Sequence, residues 1–225
     1  MLTFVIDLKI DIFYKKTQFK LKKTIYLIRH GETDYNKQGI VQGSGINSSL
    51  NETGILQANM FYEEFKSIEF DNIYTSKLKR TQESVHPFIK NGGQFISLTE
   101  LNEINWGVVE GQKPDSAANK MFHKTMKLWQ QGNYHLSVEG GETPFEMQTR
   151  QKIGISKILK ATHESKILIA CHGRAMRSLL CTMLNKPLSK MDEFPHSNLC
   201  LYILEYQNEK FNLKLSNSTR HLNNK

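Results

Sequence analysis

Two short apolar segments of this chain each end in a histidine that is followed by a glycine. Residues 25–28 lead toward His30, and residues 166–171 lead directly into His172. Apolar runs of this length that are rich in β-branched and aromatic residues are typical of buried strands. Because open α/β sheets bind ligands beyond the carboxyl ends of their strands, the pattern predicts that both histidines lie at such an edge.

The residues around the first histidine suit phosphate chemistry. Histidine is the side chain best able to act as a nucleophile or base near neutral pH. Arg29 offers a planar, permanently charged group for phosphate oxygens, and Gly31 allows the backbone to turn sharply and approach a ligand closely. The tripeptide therefore indicates a histidine that attacks a phosphoryl group, although a motif this short also occurs by chance.

Two further charged residues follow strand-like segments between the histidines. Arg80 lies where residues 70–74 pass into a predicted helix, and Glu103 follows the β-rich residues 95–98. Together with the histidines and Arg29, these side chains predict a phosphate pocket that contains an acid.

Strand-like and helix-like segments alternate along the chain. This alternation predicts an α/β fold, a three-layer α/β/α sandwich with a mostly parallel sheet and an antiparallel hairpin at one end. The predicted strands are 24–29, 71–75, 94–98, 166–171, 198–206 and 210–216, and the predicted helices are 51–66, 77–90, 115–131, 143–162 and 173–184.

The full set of motifs resembles the histidine phosphatase superfamily, in its phosphoglycerate mutase-like branch. The similarity runs from about residue 23 to about residue 222. It comprises residues 29–36, 41–43, 50–54, 57–58, 76–81, 103, 106–107, 110–111, 140–143 and 172–173. The resemblance implies one domain over residues 23–225 and leaves residues 1–22 as an N-terminal extension.

The resemblance also implies a role for each candidate residue. His30 would be the nucleophile that forms a phosphohistidine, and Glu103 would protonate the leaving alcohol and then activate water. The remaining residues would bind phosphate or the leaving group: Arg29, Arg80 and His172 as catalytic partners, and Asn36, Gln42, Gly43 and Gly173 as substrate-binding residues.

Three functions remain open at this level. The first is a phosphomonoester hydrolase that acts on a small phosphorylated metabolite, and the second is a cofactor-dependent phosphoglycerate mutase. A mutase must retain a doubly phosphorylated intermediate with a second cationic clamp, yet residues 112–139 contain four lysines and no arginine. The hydrolase is therefore favoured. A catalytically silent phosphate- or partner-binding protein is the third function, because fold does not fix function.

Net charge and composition restrict the partners. The formal net charge is +8, and residues 1–23 contribute half of it through six lysines and two aspartates. No stripe of basic and aromatic residues occurs elsewhere, so nucleic acid is not expected as a partner. No apolar stretch has the length of a membrane span, which predicts no membrane partner. The expected partner is a small phosphate ester, for a monomer or a homodimer.

The remaining predictions concern cofactors and localisation. Carboxylates and histidines show no metal-site spacing, so neither a metal nor another cofactor is expected. Three cysteines, an odd number without such spacing, are typical of reduced thiols in a cytoplasmic protein.

Overall fold

The computed structural model describes residues 22–114 and 116–223. The strands are β1 (Lys22–Arg29), β2 (Asn72–Thr75), β3 (Phe95–Ser97), β4 (Lys166–Cys171), β5 (Leu201–Gln207) and β6 (Lys210–Ser218). The α-helices are α1 (Asp34–Lys37), α2 (Glu52–Phe65), α3 (Lys79–Lys90), α4 (Ala117–Gln130), α5 (Pro144–Lys160) and α6 (Gly173–Met183). Short 3-10 helices lie at Thr99–Leu101, Gly107–Val109, Leu188–Glu193 and Arg220–Leu222.

The six strands form one mixed sheet in the order β3-β2-β4-β1-β5-β6. The first four strands of this order run parallel, whereas β5 is antiparallel to β1 and β6 is antiparallel to β5. The predicted mostly parallel sheet with a terminal hairpin is therefore confirmed. The register pairs Arg29 with Cys171, so the residues that follow β1 and β4 emerge side by side.

Both faces of the central strands are buried, because helices cover the sheet on each side. In β4, Ile167, Ile169 and Cys171 pack in one apolar core, and Leu168 and Ala170 pack in the other. The first core includes apolar residues of α5 and α6, and the second includes apolar residues of α2 and α3. This arrangement is the predicted three-layer sandwich, and it accounts for the uninterrupted apolar run in β4.

Two helix starts follow the chemistry of their first residues. Asn51 precedes α2, and its side chain accepts a hydrogen bond from the backbone N–H of Gly54. Thr143 precedes α5 and forms a reciprocal capping box with Glu146, while Pro144 occupies the first helical position. These side chains satisfy N–H groups that the helix itself leaves without partners.

The structure differs from the predicted boundaries in two neighbouring strands, β1 and β5. β1 begins at Lys22, the last residue of the predicted N-terminal extension, and Lys22 pairs with Gln207. The other residues of that extension lie outside the described part of the chain. β5 begins at Leu201 rather than at residue 198, because Leu199 has a positive φ of 52° that interrupts extended backbone.

Candidate active site

His30 follows β1 directly and is almost completely buried. Its backbone N–H donates to the carbonyl of Cys171, which ties it to the end of β4. Its ring Nδ1 lies 2.7 Å from the carbonyl oxygen of Gly31. A carbonyl only accepts hydrogen bonds, so this contact puts the proton on Nδ1 and leaves the lone pair on Nε2.

Charge and burial keep the His30 ring neutral. Burial lowers its pKa well below the ordinary value, and the positive charges of Arg80 and Arg29 lower it further. A neutral ring with a free Nε2 lone pair is the form of histidine that can attack phosphorus.

The turn after His30 leaves no room for a side chain. A Cβ on Gly31 would lie 2.7 Å from the carbonyl oxygen of Gly54, in α2. The backbone N–H of Gly31 donates to Ser84 Oγ of α3. Two helices therefore fix the loop that carries His30.

Arg29 lies beside His30 at the last position of β1. Its Nη1 lies 3.1 Å from Nδ1 of His196, and its Nε is buried without a hydrogen-bond partner among the described residues. Burial lowers the pKa of this guanidinium, although it remains a cation at neutral pH. An unpaired N–H on a buried cation is a strong attraction for an anionic ligand.

Arg80 extends from the first turn of α3 and is fully buried. Its Nε donates to Nδ1 of His172 at 3.1 Å, while Nη1 and Nη2 donate to the carbonyls of Ile46 and Gly43. Burial lowers the pKa of Arg80 to about 10, so the group is still charged at neutral pH.

His172 immediately precedes α6 and completes the pair of histidines. The rings of His30 and His172 are 5.2 Å apart, measured between centroids. His172 Nδ1 accepts from Arg80, so Nε2 carries the proton and donates to Ser76 Oγ at 2.8 Å. Burial and the neighbouring Arg80 hold the pKa of His172 well below its ordinary value, and the ring is neutral.

Glu103 reaches the site from the loop after β3. Its Oε1 accepts from the backbone N–H groups of Ile104 and Ala175, and its Oε2 accepts from the N–H of Arg174. Two of these donors belong to the first turn of α6, where the helix dipole favours a carboxylate. The start of α6 therefore orients both His172 and Glu103. Among the described residues, Glu103 is the only buried carboxylate that borders this helix start.

The predicted neutral binding residues lie around one loop. Asn36 Oδ1 accepts from Thr33 in the capping box of α1, and Gln42 Nε2 donates to Thr33 Oγ1 at 2.7 Å. Gly43 contacts Arg80 through its carbonyl, as described above. A Cβ on Gly43 would lie 2.5 Å from the backbone carbonyl oxygen of Ile104, so only glycine fits there. Their contacts with substrate remain a prediction.

Gly173 opens α6 next to the cationic side of the site. A Cβ at this position would lie 3.1 Å from Cε1 of His196 and 3.6 Å from Nε of Arg29. Glycine thus leaves a small space beside the unpaired N–H of Arg29.

Three polar residues at the site are not among the predicted site residues, and two of them, His196 and Asn198, lie outside every sequence motif. Ser76 accepts from His172, His196 accepts from Arg29, and Asn198 Nδ2 donates to the backbone carbonyl of His30 at 3.0 Å. Burial lowers the pKa of His196 to about 3, and the charges of Arg29 and two further arginines contribute, so this ring is also neutral. The sequence signal for His196 and Asn198 is their own segment, Pro195-His196-Ser197-Asn198. It is rich in polar and turn-forming residues and precedes a strand.

Other residues near the site have structural roles. Glu142 forms an ion pair with Arg150 of α5, with Nε to Oε1 at 2.6 Å. Trp106 and Trp129 are buried and stacked with ring centroids 5.3 Å apart. They pack α4 against the loop that follows Glu103.

Residues 22–114 and 116–223 contain no group of three histidine, cysteine or acidic side chains placed to hold a metal ion. Over the same residues, no helix combines the length and apolar character needed to cross a bilayer. All three cysteines are buried and unpaired.

The chain was compared with known families and proteins. The sequence model of the histidine phosphatase superfamily (branch 1) matches residues 25–219. The protein named "Probable phosphoglycerate mutase GpmB" from Yersinia pestis is 30% identical over 186 residues, which are 81% of this chain and 85% of the relative.

Solved structures show the same fold. YhfR of Bacillus stearothermophilus superposes with a TM-score of 0.79 at 25% identity, covering 89% of this chain and 99% of that one. The alpha-ribazole phosphatase of Shigella flexneri superposes with a TM-score of 0.77 at 24% identity, covering 87% and 96%. With the family match spanning most of its length, this chain belongs to branch 1 of the histidine phosphatase superfamily.

Proposed function

We propose that this protein is a phosphomonoester hydrolase that acts on a small phosphorylated metabolite through a phosphohistidine. The observation that carries the proposal is the state of His30: buried, neutral, with Nδ1 held by Gly31 and Nε2 free. Arg29 and Arg80 add two cations beside it, and Glu103 adds a carboxyl group at the start of α6.

In the first step, Nε2 of His30 forms a bond to phosphorus while the bond from phosphorus to the leaving oxygen breaks. The dianionic phosphate of the bound substrate supplies the negative charge that holds a proton on Glu103, and Glu103 gives this proton to that oxygen, so a neutral alcohol departs. Arg29 and Arg80 stabilise the negative charge on the oxygens of the transferring group, and His172 contributes by turning its Nε2 proton, which faces Ser76 Oγ in this structure, toward a phosphate oxygen.

In the second step, water attacks the phosphohistidine. Glu103, now a carboxylate, takes a proton from the water as its oxygen bonds to phosphorus, and the bond from phosphorus to Nε2 breaks. Inorganic phosphate leaves, while His30 and protonated Glu103 are regenerated. Splitting one displacement into two lowers the barrier of each.

The proposed reaction uses no metal. A metal ion in phosphoryl transfer supplies positive charge to the phosphate oxygens, and here the guanidinium groups of Arg29 and Arg80 supply that charge. The proposal therefore predicts full activity in the presence of EDTA.

A mutase is the second candidate, favoured by the name of the Yersinia pestis relative. It would need a second clamp for the doubly phosphorylated intermediate. Residues 112–139, the segment where a mutase would carry this clamp, contain no arginine. Incubation with 3-phosphoglycerate and a bisphosphorylated primer separates the two: a hydrolase releases inorganic phosphate, and a mutase produces the isomeric monophosphate.

Trapping the phosphoenzyme tests the proposal. Acid-free quenching during turnover of p-nitrophenyl phosphate in EDTA should reveal an acid-labile, alkali-stable phosphate in the intact mass. The signal should disappear in His30→Ala and persist in His135→Ala, which alters an exposed histidine. A phosphoenzyme that persists in His30→Ala, or activity that EDTA removes and magnesium or zinc restores, would overturn the proposal. No turnover of any phosphate ester would instead favour a silent binding protein.

A further inference from the structure

Two arginines of α6 share a single carboxylate at the rim of the candidate active site. Arg174 Nη1 and Arg177 Nη1 both donate to Oδ1 of Asp192, at 2.9 and 2.6 Å. Asp192 lies in the 3-10 helix Leu188–Glu193, and its side chain is 43% exposed. The arginine side chains are much less accessible, at 14% and 19% exposed. A carboxylate that bridges two guanidinium groups has the geometry of a bound anion.

This cluster adjoins the phosphate pocket on two sides. The backbone N–H of Arg174 donates to the carboxylate of Glu103. Arg177 Nε donates to the carbonyl of Phe194, two residues before His196, and the charges of both arginines act on the His196 ring that contacts Arg29. The charge of the pair therefore reaches the side of the pocket that Glu103 and His196 form.

The cluster also contacts residues 112–139, the segment where a mutase would carry its second clamp. The Arg174 guanidinium lies 5.9 Å from the ring centroid of Trp129, and Gln130 Nε2 donates to Oδ2 of Asp192 at 3.4 Å. Residues 112–139 lack arginine, but α6 places two arginines directly against this segment. The charge for a second anion subsite is thus present, and Asp192 neutralises part of it.

We propose that Asp192 is a specificity-determining residue that keeps this second anion subsite closed, so that the enzyme prefers phosphate esters of uncharged alcohols. The proposal rests on the proposed hydrolase function. A carboxylate or second phosphate on the leaving group would have to displace Asp192, which is tethered beside both arginines. Until Asp192 is displaced, its negative charge repels the incoming anion.

A matched pair of substrates tests the idea. Glycerol 3-phosphate and 3-phosphoglycerate differ in one group, a hydroxymethyl against a carboxylate. We expect kcat/KM of the wild type to be higher for glycerol 3-phosphate. Asp192→Asn keeps the shape and removes the charge, so the ratio of kcat/KM for 3-phosphoglycerate over glycerol 3-phosphate should rise about tenfold, the effect of one charge-assisted hydrogen bond.

Two further variants show where the effect arises. Glu193→Gln removes the same charge from the adjacent residue, which pairs with Lys186 and Lys190 instead, and it should leave the ratio unchanged. Adding Arg174→Gln to Asp192→Asn should reverse the gain. Circular dichroism and thermal unfolding verify that each variant folds.

The outcomes separate this proposal from the hydrolase function. A wild type that prefers 3-phosphoglycerate, or an unchanged ratio in Asp192→Asn, overturns the role of Asp192. Absence of turnover with every ester refutes the hydrolase alone. In that case calorimetry can measure the affinities of 3-phosphoglycerate and glycerol 3-phosphate for His30→Ala protein, with and without Asp192→Asn. The ratio of the two affinities should change by the same factor of about ten on Asp192→Asn, and an unchanged ratio would overturn the specificity role.

Discussion

At the scale of single residues, Glu103 is the group whose role kinetics can separate most clearly. A poor leaving group needs its oxygen protonated as the bond to phosphorus breaks, whereas p-nitrophenolate leaves unaided. Glu103→Gln should therefore slow an alkyl phosphate about 10²–10⁴-fold, the usual contribution of a general acid, and slow p-nitrophenyl phosphate far less. Steady-state kcat/KM for both substrates measures the difference.

Glu110 provides the matched control for Glu103. It is a second carboxylate near the pocket, and its Oε1 accepts from the backbone N–H of Trp106. Glu110→Gln should slow both substrates to a similar extent, because its contact holds a loop. Equal losses in Glu103→Gln would make Glu103 a positioning residue and Glu110 the next candidate for the acid.

His196 should orient Arg29, because its neutral Nδ1 is the acceptor that faces the Arg29 guanidinium. His196→Ala removes that acceptor, and we expect kcat/KM and the affinity for inorganic phosphate to fall about tenfold, as for one charge-assisted hydrogen bond. His196→Asn places an amide oxygen at the position of Nδ1 and should restore most of both quantities.

The exposed residue His86 is the control for that series, and His86→Ala should change neither quantity. If His196→Asn were as impaired as His196→Ala while thermal stability stayed equal, the contact with Arg29 would not be the cause. Inhibition constants for inorganic phosphate report the Arg29 site directly, without the leaving group.

The sequence predicts the site residues that belong to a motif, but it does not predict those that only the folded structure brings to the site. His30 and His172 could be found because each follows an apolar strand. His196 precedes β5 by several residues and reaches Arg29 only because the chain turns at Leu199, whose φ is positive. A positive φ at a leucine has no local signal, since the surrounding packing imposes it.

At the scale of secondary-structure elements, regular periodicity and helix caps were reliable guides. β4 spans residues 166–171 as predicted, and α5 begins after the Thr143 capping box. The one-turn helix α1, Asp34–Lys37, was not predicted, because four residues are too few to show a helical period. That helix nevertheless positions Asn36 next to Asn198.

Arg150 connects one such element, α5, to the loop that carries Glu103. Its guanidinium binds both carboxylate oxygens of Glu142 and donates to the backbone carbonyls of Glu100, Asn102 and Glu103. Lysine has a single compact ammonium group and cannot span these acceptors. Arg150→Lys should cost about 1–3 kcal/mol in the free energy of unfolding, the range for hydrogen bonds to charged groups, and urea unfolding measures it.

The same variant should affect catalysis in a particular direction. A loosened Glu103 loop impairs the acid more than the nucleophile, so Arg150→Lys should slow an alkyl phosphate more than p-nitrophenyl phosphate. Lys157→Gln is the control, because Lys157 pairs with the side chain of Glu100 from the same helix and is half exposed. An exposed pair of this kind contributes about 0–1 kcal/mol. Equal stability losses in the two variants would refute the bracing role of Arg150.

At the scale of the whole molecule, the order of the strands determines which distant residues meet. β1 and β4 are neighbours in the sheet although most of the chain lies between them, and their register puts His30 beside His172. The class of sheet follows from the alternation of strands and helices, but the order β3-β2-β4-β1 depends on long-range packing.

Several buried, neutral histidines in one molecule should make the folded protein less stable in acid. The pKa values of His30, His172 and His196 are lowered in the folded protein, to about 3 for His196, chiefly because the rings are buried. Below pH 6.5, roughly the ordinary value, the unfolded chain binds protons that the folded protein does not. The folded state must therefore lose stability as the pH falls from 6.5 toward 4, by up to about 1.4 kcal/mol per pH unit for each fully buried ring.

Removing one of these rings should reduce that slope. His196→Asn should make the fall in unfolding free energy between pH 6.5 and pH 4.5 shallower, whereas His86→Asn, an exposed site, should leave it nearly unchanged. Urea unfolding at several pH values measures both slopes. Activity should tolerate acid better than stability does, because a neutral His30 stays nucleophilic below pH 6.5. We therefore expect kcat/KM not to fall over the pH range in which an ordinary histidine becomes protonated. A stability that rose on acidification, or an equal slope in both variants, would contradict the neutral state assigned to the buried rings.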